Sequence, residues 1–194
     1  MARVHILGAS GSGTTTLGAA LGARLGWRHV DSDDLFWVKT QPPFTTQRAR
    51  EARLGGVLPW MRAERNWVFS GSAVGWAGPL EPLYDLVVYL RLDQALRMAR
   101  LRAREVARYG ARIDPGGDMA VASAAFMAWA EAYDTAGPGQ RSAALHALWL
   151  AERACRVVRL DSAAPLADLV ARVVSEVAAS RPVTTPSERT GAKR

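Results

Sequence analysis

The sequence contains little cysteine, lysine and histidine. Its single cysteine, Cys155, excludes an internal disulfide and favours a reducing compartment, so we expect a cytoplasmic protein. The three histidines are far apart in the chain and show no spacing typical of a metal site. Lysine occurs only at Lys39 and Lys193, so arginine carries nearly all of the positive charge.

Long apolar runs are also absent. No run reaches the roughly 18 residues that predict a transmembrane helix, and the N-terminus shows no signal-peptide pattern, so we expect no membrane association. Apolar residues still make up 49% of the 194 residues, which is enough to bury a core. The sequence therefore predicts one α/β domain over residues 1–180 and a disordered basic tail, rich in Pro, Ser and Thr, over residues 181–194.

The formal net charge is +7, and much of it lies in one internal arginine-rich segment. Three interpretations of this segment are open: non-specific nucleic-acid binding, a site for phosphates, or a solvated helix face. The aromatic and basic pattern of a known RNA-binding module is absent, so we expect no specific nucleic-acid partner. The segment contains Arg91, Arg97, Arg100, Arg102, Arg104, Arg108 and Arg112.

Short apolar segments alternate with helical patterns along the chain, which predicts a parallel sheet covered by helices on both faces. Right-handed crossovers then place the carboxyl ends of all strands along one edge, where ligands bind. The predicted strands are residues 3–7, 28–34, 66–70, 85–91 and 155–161. The predicted helices are residues 15–25, 45–64, 93–110, 119–134, 140–154 and 164–180, the second of them bent near Gly55, Gly56 and Pro59.

The strongest motif follows the first predicted strand. Residues 8–15, GASGSGTT, match the phosphate-loop pattern G-x-x-x-x-G-K-[ST] except at the lysine. Glycines let backbone N–H groups turn toward phosphate oxygens, and the helix that follows adds the positive end of its dipole. The predicted phosphate-binding residues are Gly8, Ser10, Gly11, Ser12, Gly13, Thr14, Thr15 and Thr16, with the Thr15 hydroxyl placed to coordinate Mg²⁺. A dinucleotide fingerprint fails because residue 16 is threonine where the third glycine is required.

Thr14 stands where the motif has a lysine that reaches the outer phosphates. Loss of one such donor costs about 3–4 kcal/mol of transition-state stabilisation, unless another cation takes its place. We expect the arginine-rich segment over residues 97–112 to supply that cation. Lys39 is a weaker candidate.

These features together resemble the adenylate kinase and shikimate kinase group of P-loop kinases. The resemblance covers about residues 1–178 and includes DSD after the second strand, the arginine-rich helix and RLD before the last helix. A bacterial subgroup labelled adenylate-kinase-related or AAA-type ATPase, which also lacks the loop lysine, is similar in more detail. The segments similar to it are GASGSGTTTLG, DDLFW, PPFT, SGSAVGW, RARE, RYGARIDPGGDM and WAEAYD.

The resemblance implies a P-loop NTPase fold of three α/β/α layers, with a five-stranded parallel sheet in the order 2-3-1-4-5 and a helical lid. It also implies transfer of the γ-phosphoryl group of ATP to a small acceptor with Mg²⁺. We therefore expect an ATP-dependent small-molecule kinase, and the alternative is an ATP-binding or slowly hydrolysing module with a switch or partner role. Neither the acceptor nor the oligomeric state follows from the sequence.

Two aspartates after the second strand receive their roles from this resemblance. Asp31 and Asp33 are two residues apart on an extended strand end, so their side chains are predicted to share one side. The resemblance implies that Asp31 attends the Mg²⁺ and that Asp33 holds the acceptor or takes its proton. Asp34 faces the other way and is predicted to cap a turn or helix. The alternative for the whole DSDD segment is a structural loop cap.

The predicted lid covers approximately residues 104–120. Arg104, Arg108 and Arg112 recur every four residues, which on a continuous helix gives one basic face. Gly110 breaks that helix and leaves Arg112 free to move with the following loop. The glycines there suit a hinge by which the lid closes over ATP. We expect Arg104 and Arg108 at the phosphates or the adenine, and Arg112 at the transferring phosphate, with Arg108 and Arg112 contributing to catalysis.

Overall fold

Five strands form one parallel sheet in the computed structural model, which describes residues 2–179. The strands are β1 (Ala2–Gly8), β2 (His29–Asp31), β3 (Asn66–Ser70), β4 (Leu86–Arg91) and β5 (Arg156–Asp161). Their order across the sheet is β2-β3-β1-β4-β5, which confirms the predicted order. β1 pairs with both β3 and β4 and is therefore the central strand. The loop that follows its carboxyl end lies at the sheet edge where ligands bind in this class of fold.

Helices follow the strands in the alternating pattern that the sequence predicted. They are α1 (Thr14–Leu25), α2 (Ser32–Phe36), α3 (Arg50–Gly55), α4 (Leu58–Ala63), α5 (Gln94–Tyr109), α6 (Ala120–Glu131), α7 (Ala143–Ala151) and α8 (Leu166–Ala179). Short 3₁₀ turns lie at Gly78–Leu83, Gly110–Ile113 and Ala132–Asp134. α1 ends as predicted at Gly26, whose left-handed backbone (φ 67°) lets its N–H bond the Gly22 carbonyl.

Apolar residues of the strands enter two cores, one on each face of the sheet. On one face, Val4 packs in a cluster with Leu17 of α1 and Val173 of α8. On the other, Leu7 packs in a cluster with Met61 of α4. Because neighbouring strand residues point to opposite faces, this alternation produces the three-layer α/β/α arrangement.

Two predicted elements differ most from the structure in their bounds. The second strand ends at Asp31 instead of residue 34, because the Asp31 side chain accepts a hydrogen bond from the Asp33 N–H and starts α2. The helix predicted over residues 45–64 is two short helices, α3 and α4, that begin only at Arg50. Residues 37–49 before α3 contain no helix, and Trp37 and Gln47 form an antiparallel bridge across a loop of bends and turns that contains two prolines.

Within residues 2–179, no helix combines the length and apolar character needed to cross a membrane. The basic tail predicted over residues 181–194 lies outside the described residues.

Candidate functional site

The loop between β1 and α1 has the backbone of a phosphate-binding loop. Gly11 and Gly13 adopt left-handed conformations, with φ of 82° and 88°. Gly13 is the N-cap of α1, no side chain caps the helix, and its first turn contains no acidic residue. The first N–H groups of the helix therefore remain available to an anion, and the helix dipole favours its binding there.

Neighbouring elements hold this loop in place. A side chain on Gly11 would lie 2.9 Å from the carbonyl oxygen of Arg97 in α5, so only glycine fits there. The Ser162 hydroxyl donates to the Ser12 carbonyl oxygen at 2.6 Å. Arg97 is fully buried and forms an ion pair with Asp134. The loop is thus packed between α5 and the turn after β5 before any ligand arrives.

A cleft of about 430 Å³ opens over the phosphate loop, within the size range of small-molecule sites. It contains nearly all of the predicted phosphate-binding residues, together with Arg104 and both aspartates. Arg108 and Arg112 are not among the residues that line it, and Gly8 contributes its carbonyl oxygen to a neighbouring arginine instead. The lining includes residues 9–17, Asp31, Asp33, Ser72, Arg100, Arg104, Arg141 and Ser162.

Asp31 lies where β2 becomes α2. One carboxylate oxygen accepts the Asp33 N–H at 2.9 Å, and the other accepts the Ser70 hydroxyl at 2.8 Å. The Ser70 oxygen also lies 2.8 Å from Nε2 of His29. The prediction that Asp34 supplies the cap is therefore wrong, because Asp31 caps α2 itself. These contacts fix the Asp31 carboxylate beside the cleft.

Asp33 lies in the first turn of α2 and also lines the cleft. Asp31 and Asp33 thus share one side, as predicted, but through a helix cap and not through an extended strand. Desolvation by the surrounding protein raises the pKa of Asp33, and the neighbouring Asp31 carboxylate raises it further, while Arg141, Arg104 and Arg108 oppose the rise. A raised pKa makes Asp33 a stronger base than a free aspartate.

The predicted basic face of the lid divides into two parts. Arg100 and Arg104 of α5 line the cleft, and partial desolvation by the surrounding protein, followed by repulsion from Arg108, lowers the pKa of Arg104. Arg108 instead donates to Glu105 and lies with its guanidinium carbon 4.4 Å from the centre of the Phe44 ring. Arg112 donates two hydrogen bonds to Asp118, at 2.9 and 2.6 Å, in the turn after α5. Arg112 is separated from the cleft because α5 ends at Tyr109 and the chain turns at Gly110, whereas Arg108 is still in α5 and is held by Glu105 and Phe44.

Arg141 is a cleft residue that no sequence pattern identified. It lies in the loop just before α7, and its Nη2 donates to the Gly8 carbonyl oxygen at 3.0 Å. It shares no helical spacing with the arginines of α5 and belongs to no motif. Only the folding of the chain places it beside the phosphate loop, so nothing in the sequence indicates its position.

Ser72 connects the cleft to a buried polar chain. Its hydroxyl lies 2.8 Å from Nε2 of His146, and Nδ1 of that ring lies 2.7 Å from the Tyr133 hydroxyl. The Tyr133 hydroxyl lies 2.9 Å from that of Tyr89. Burial lowers the pKa of His146 to about 3, and nearby Arg141 contributes. The ring is therefore neutral at physiological pH and orients the Ser72 hydroxyl at the cleft wall.

Two buried histidines predict a loss of stability in mild acid. Burial also lowers the pKa of His5, to about 3. Because the folded pKa values of His5 and His146 lie below the unfolded value of about 6.5, their contribution is fully present above pH 6.5 and is lost as the pH falls toward 3. Each should reduce the free energy of unfolding by about 1.4 kcal/mol per pH unit in this window. Urea denaturation followed by circular dichroism measures the effect. A His5→Asn variant should show a shallower dependence, whereas parallel pH profiles would contradict the assignment.

The donors present suit a nucleotide with Mg²⁺. Mg²⁺ in phosphoryl-transfer sites takes one or two protein oxygens together with phosphate oxygens and waters. The Thr15 hydroxyl and the Asp31 carboxylate supply such oxygens in one cleft. Among residues 2–179, no cluster of three or more His, Cys, Asp or Glu side chains is placed to hold a metal ion.

Two kinases of known structure have a similar fold. Structural comparison finds similarity to a gluconokinase from Sinorhizobium meliloti 1021, with a TM-score of 0.50, 16% sequence identity and coverage of 92% of each chain. A sugar kinase from Janibacter sp. HTCC2649 also has a TM-score of 0.50 and 16% identity, over 94% of this chain and 99% of that one. At this level of identity the likeness concerns the fold.

The chain belongs to the same family as the uncharacterized protein YqaC of Bacillus subtilis (strain 168). The two sequences are 40% identical over 171 residues, which cover 88% of this chain and 94% of YqaC. No family model matches the sequence.

Proposed function

We propose that the protein is an ATP-dependent kinase that phosphorylates a small molecule. The observation that carries this proposal is the uncapped N-terminus of α1, which shares one cleft with two aspartates and three arginines. The helix N-terminus binds anions, and the aspartates provide oxygen ligands and a base. The arginines provide positive charge for the outer phosphates. Phosphoryl transfer requires these three elements in one place.

In this proposal the phosphate loop and Arg104 bind the triphosphate of ATP. The N–H groups at the start of α1 donate to phosphate oxygens, and the Thr15 hydroxyl and the Asp31 carboxylate hold the metal. Mg²⁺, which the Thr15 hydroxyl and the Asp31 carboxylate would hold, would supply positive charge that stabilises the transferring phosphoryl group. Packing against α5 and the Ser162 hydroxyl keeps the loop in one conformation, so little reorganisation is needed on binding.

Asp33 and Ser72 form the acceptor side of the cleft. The acceptor hydroxyl oxygen forms a new bond to the γ-phosphorus while the bond from that phosphorus to the bridging oxygen of ADP breaks. Asp33 takes the proton that the hydroxyl loses, and its raised pKa suits this role. Ser72, held by His146, orients the acceptor by a hydrogen bond.

Calorimetry of Mg²⁺-dependent ATP binding tests the proposal. We expect the wild-type protein to bind ATP more tightly with Mg²⁺ than without it. Thr15→Ala should weaken Mg²⁺·ATP binding by about 10-fold, because it removes a metal ligand and a hydrogen bond to charge. Thr15→Ser keeps the hydroxyl and should bind like the wild type. A wild-type protein without detectable Mg²⁺·ATP binding would exclude the proposed function.

A second candidate function is an ATP-binding or slow NTPase module with a switch role. Thr14 favours it, because loss of the loop lysine slows phosphoryl transfer unless another cation compensates. Thermal stabilisation by a metabolite library, in the presence of a non-hydrolysable ATP analogue, separates the two. The library should begin with sugars and sugar acids, because the structural neighbours are a gluconokinase and a sugar kinase. A stabilising compound that is then phosphorylated supports the kinase.

A further inference from the structure

Arg141 is anchored to the phosphate loop from outside the arginine-rich helix. Its Nη2 donates to the carbonyl oxygen of Gly8, the first residue of the loop, at 3.0 Å. Its guanidinium carbon lies 5.5 Å from the centre of the Trp129 ring, a cation–π contact that restricts the side chain further. The following residue, Ser142, is fully buried and caps α7 by accepting the Leu145 N–H. The side chain therefore starts from a fixed backbone and ends at the loop.

The guanidinium of Arg141 has too few acceptors for its charge. Of its five N–H donors, one has an acceptor among the described residues, and its Nε is buried without any. Burial lowers the pKa of Arg141, and Asp33 offsets part of that effect at longer range. Arg141 is half-buried, and a buried guanidinium N–H without a partner is costly unless an acceptor reaches it. Arg141 lines the same cleft as the phosphate loop, so an anion bound there would lie within reach of both.

We propose that Arg141 provides the cation that the loop lacks because residue 14 is threonine, and that it binds the outer phosphates of the nucleotide. This inference rests on the proposed function, because it concerns the same bound triphosphate. A lysine at position 14 would extend from α1, whereas Arg141 approaches the loop from the start of α7. Its planar fork can bond the Gly8 carbonyl and a phosphate oxygen at the same time, which a single ammonium does less well.

The arginines of α5 are less suited to this role. Arg100 lies near the loop, with Nη1 3.9 Å from the position of a Cβ on Gly13, but no hydrogen bond to a described residue fixes it. Arg100 and Arg104 are exposed in the cleft, whereas Arg141 is held by the loop itself. Arg141 is therefore the better replacement for the loop lysine, because its hydrogen bond to the loop holds it in position whether or not α5 moves.

The first experiment measures Mg²⁺·ATP binding by calorimetry in Arg141→Met, with Arg102→Met as the matched control. Arg102 is an exposed arginine of α5 that does not line the cleft. We expect Arg141→Met to raise the Kd by about 10- to 100-fold, the range for loss of a hydrogen bond between charged groups, and Arg102→Met to leave it unchanged. If Arg141→Met lowers the melting temperature strongly, Arg141→Gln keeps a donor for Gly8 and replaces it in the comparison.

The second experiment adds Thr14→Lys to the wild type and to the Arg141 variant. If one cation serves both positions, Thr14→Lys should restore binding at least about 10-fold in the Arg141 variant and leave the wild type equal or weaker, because two cations would then compete for one space. The same effect in both backgrounds would overturn the inference, as would an Arg141 variant that binds like the wild type. Absence of Mg²⁺·ATP binding in the wild type would instead reject the proposed function itself.

Discussion

Asp31→Asn is expected to lower Mg²⁺-dependent ATP turnover by about 100-fold or more while the protein remains folded. The substitution removes the charge that we assign to the metal but keeps the shape of the side chain. The amide oxygen can still accept the Asp33 N–H that begins α2. The amide N–H₂ then faces the Ser70 oxygen, which can accept from it and donate its own proton to Nε2 of His29.

Phosphate release under single-turnover conditions measures this effect, and circular dichroism checks the fold. Asp34→Asn is the matched control, because it removes a carboxylate three residues away that does not line the cleft. ATP affinity in Asp31→Asn should also lose its dependence on Mg²⁺. Equal turnover in the two variants would show that Asp31 serves only as the cap of α2.

Gly11→Ala is expected to damage both stability and ATP binding. A Cβ at this position would lie 2.9 Å from the Arg97 carbonyl oxygen, which is backbone and cannot move alone. The left-handed conformation of residue 11 costs a non-glycine residue about 1–2 kcal/mol, and overpacking adds about 1–3 kcal/mol. Since the loop must shift away from α5 to relieve the clash, its N–H groups lose their arrangement around the phosphates. We expect Mg²⁺·ATP affinity to fall by about 100-fold.

Gly55→Ala controls for the added methyl group, because nothing lies within 4 Å of a Cβ at that position in α3. That variant should match the wild type in melting temperature and in ATP binding, or be slightly more stable. Gly11→Ala should melt several degrees lower, at about 2–4 °C per kcal/mol for a protein of this size. Unchanged affinity in Gly11→Ala would show that the loop does not bind the nucleotide through its present conformation.

The fold and the phosphate loop were predictable because their signals are local. Alternating strand and helix patterns determine a parallel sheet, and the glycines around Ser12 determine a loop that few other sequences can form. The acidic segment was predictable in position but not in form. Its two aspartates share a side because Asp31 caps a helix, and a cap depends on backbone angles that an extended pattern does not indicate.

The arginines were harder to assign because helical spacing indicates a face and not its neighbours. Arg104, Arg108 and Arg112 share a spacing, yet only Arg104 lines the cleft. Arg108 donates a hydrogen bond to Glu105 and makes a cation–π contact with Phe44. Arg112 donates hydrogen bonds to Asp118. Glu105 lies one turn earlier on α5, whereas Phe44 and Asp118 lie in loops and turns whose positions follow from the packing of the whole chain.

The sequence alone determined that a glycine loop follows the first strand and that its lysine is missing. The tertiary structure decided which cation stands near the loop in its place, because Arg141 lies 133 residues from Gly8 along the chain and reaches it only when α7 packs against the sheet. Local patterns specify backbone conformation through short-range sterics and hydrogen bonds. Charges that meet across the fold are specified by long-range packing, which no local pattern records.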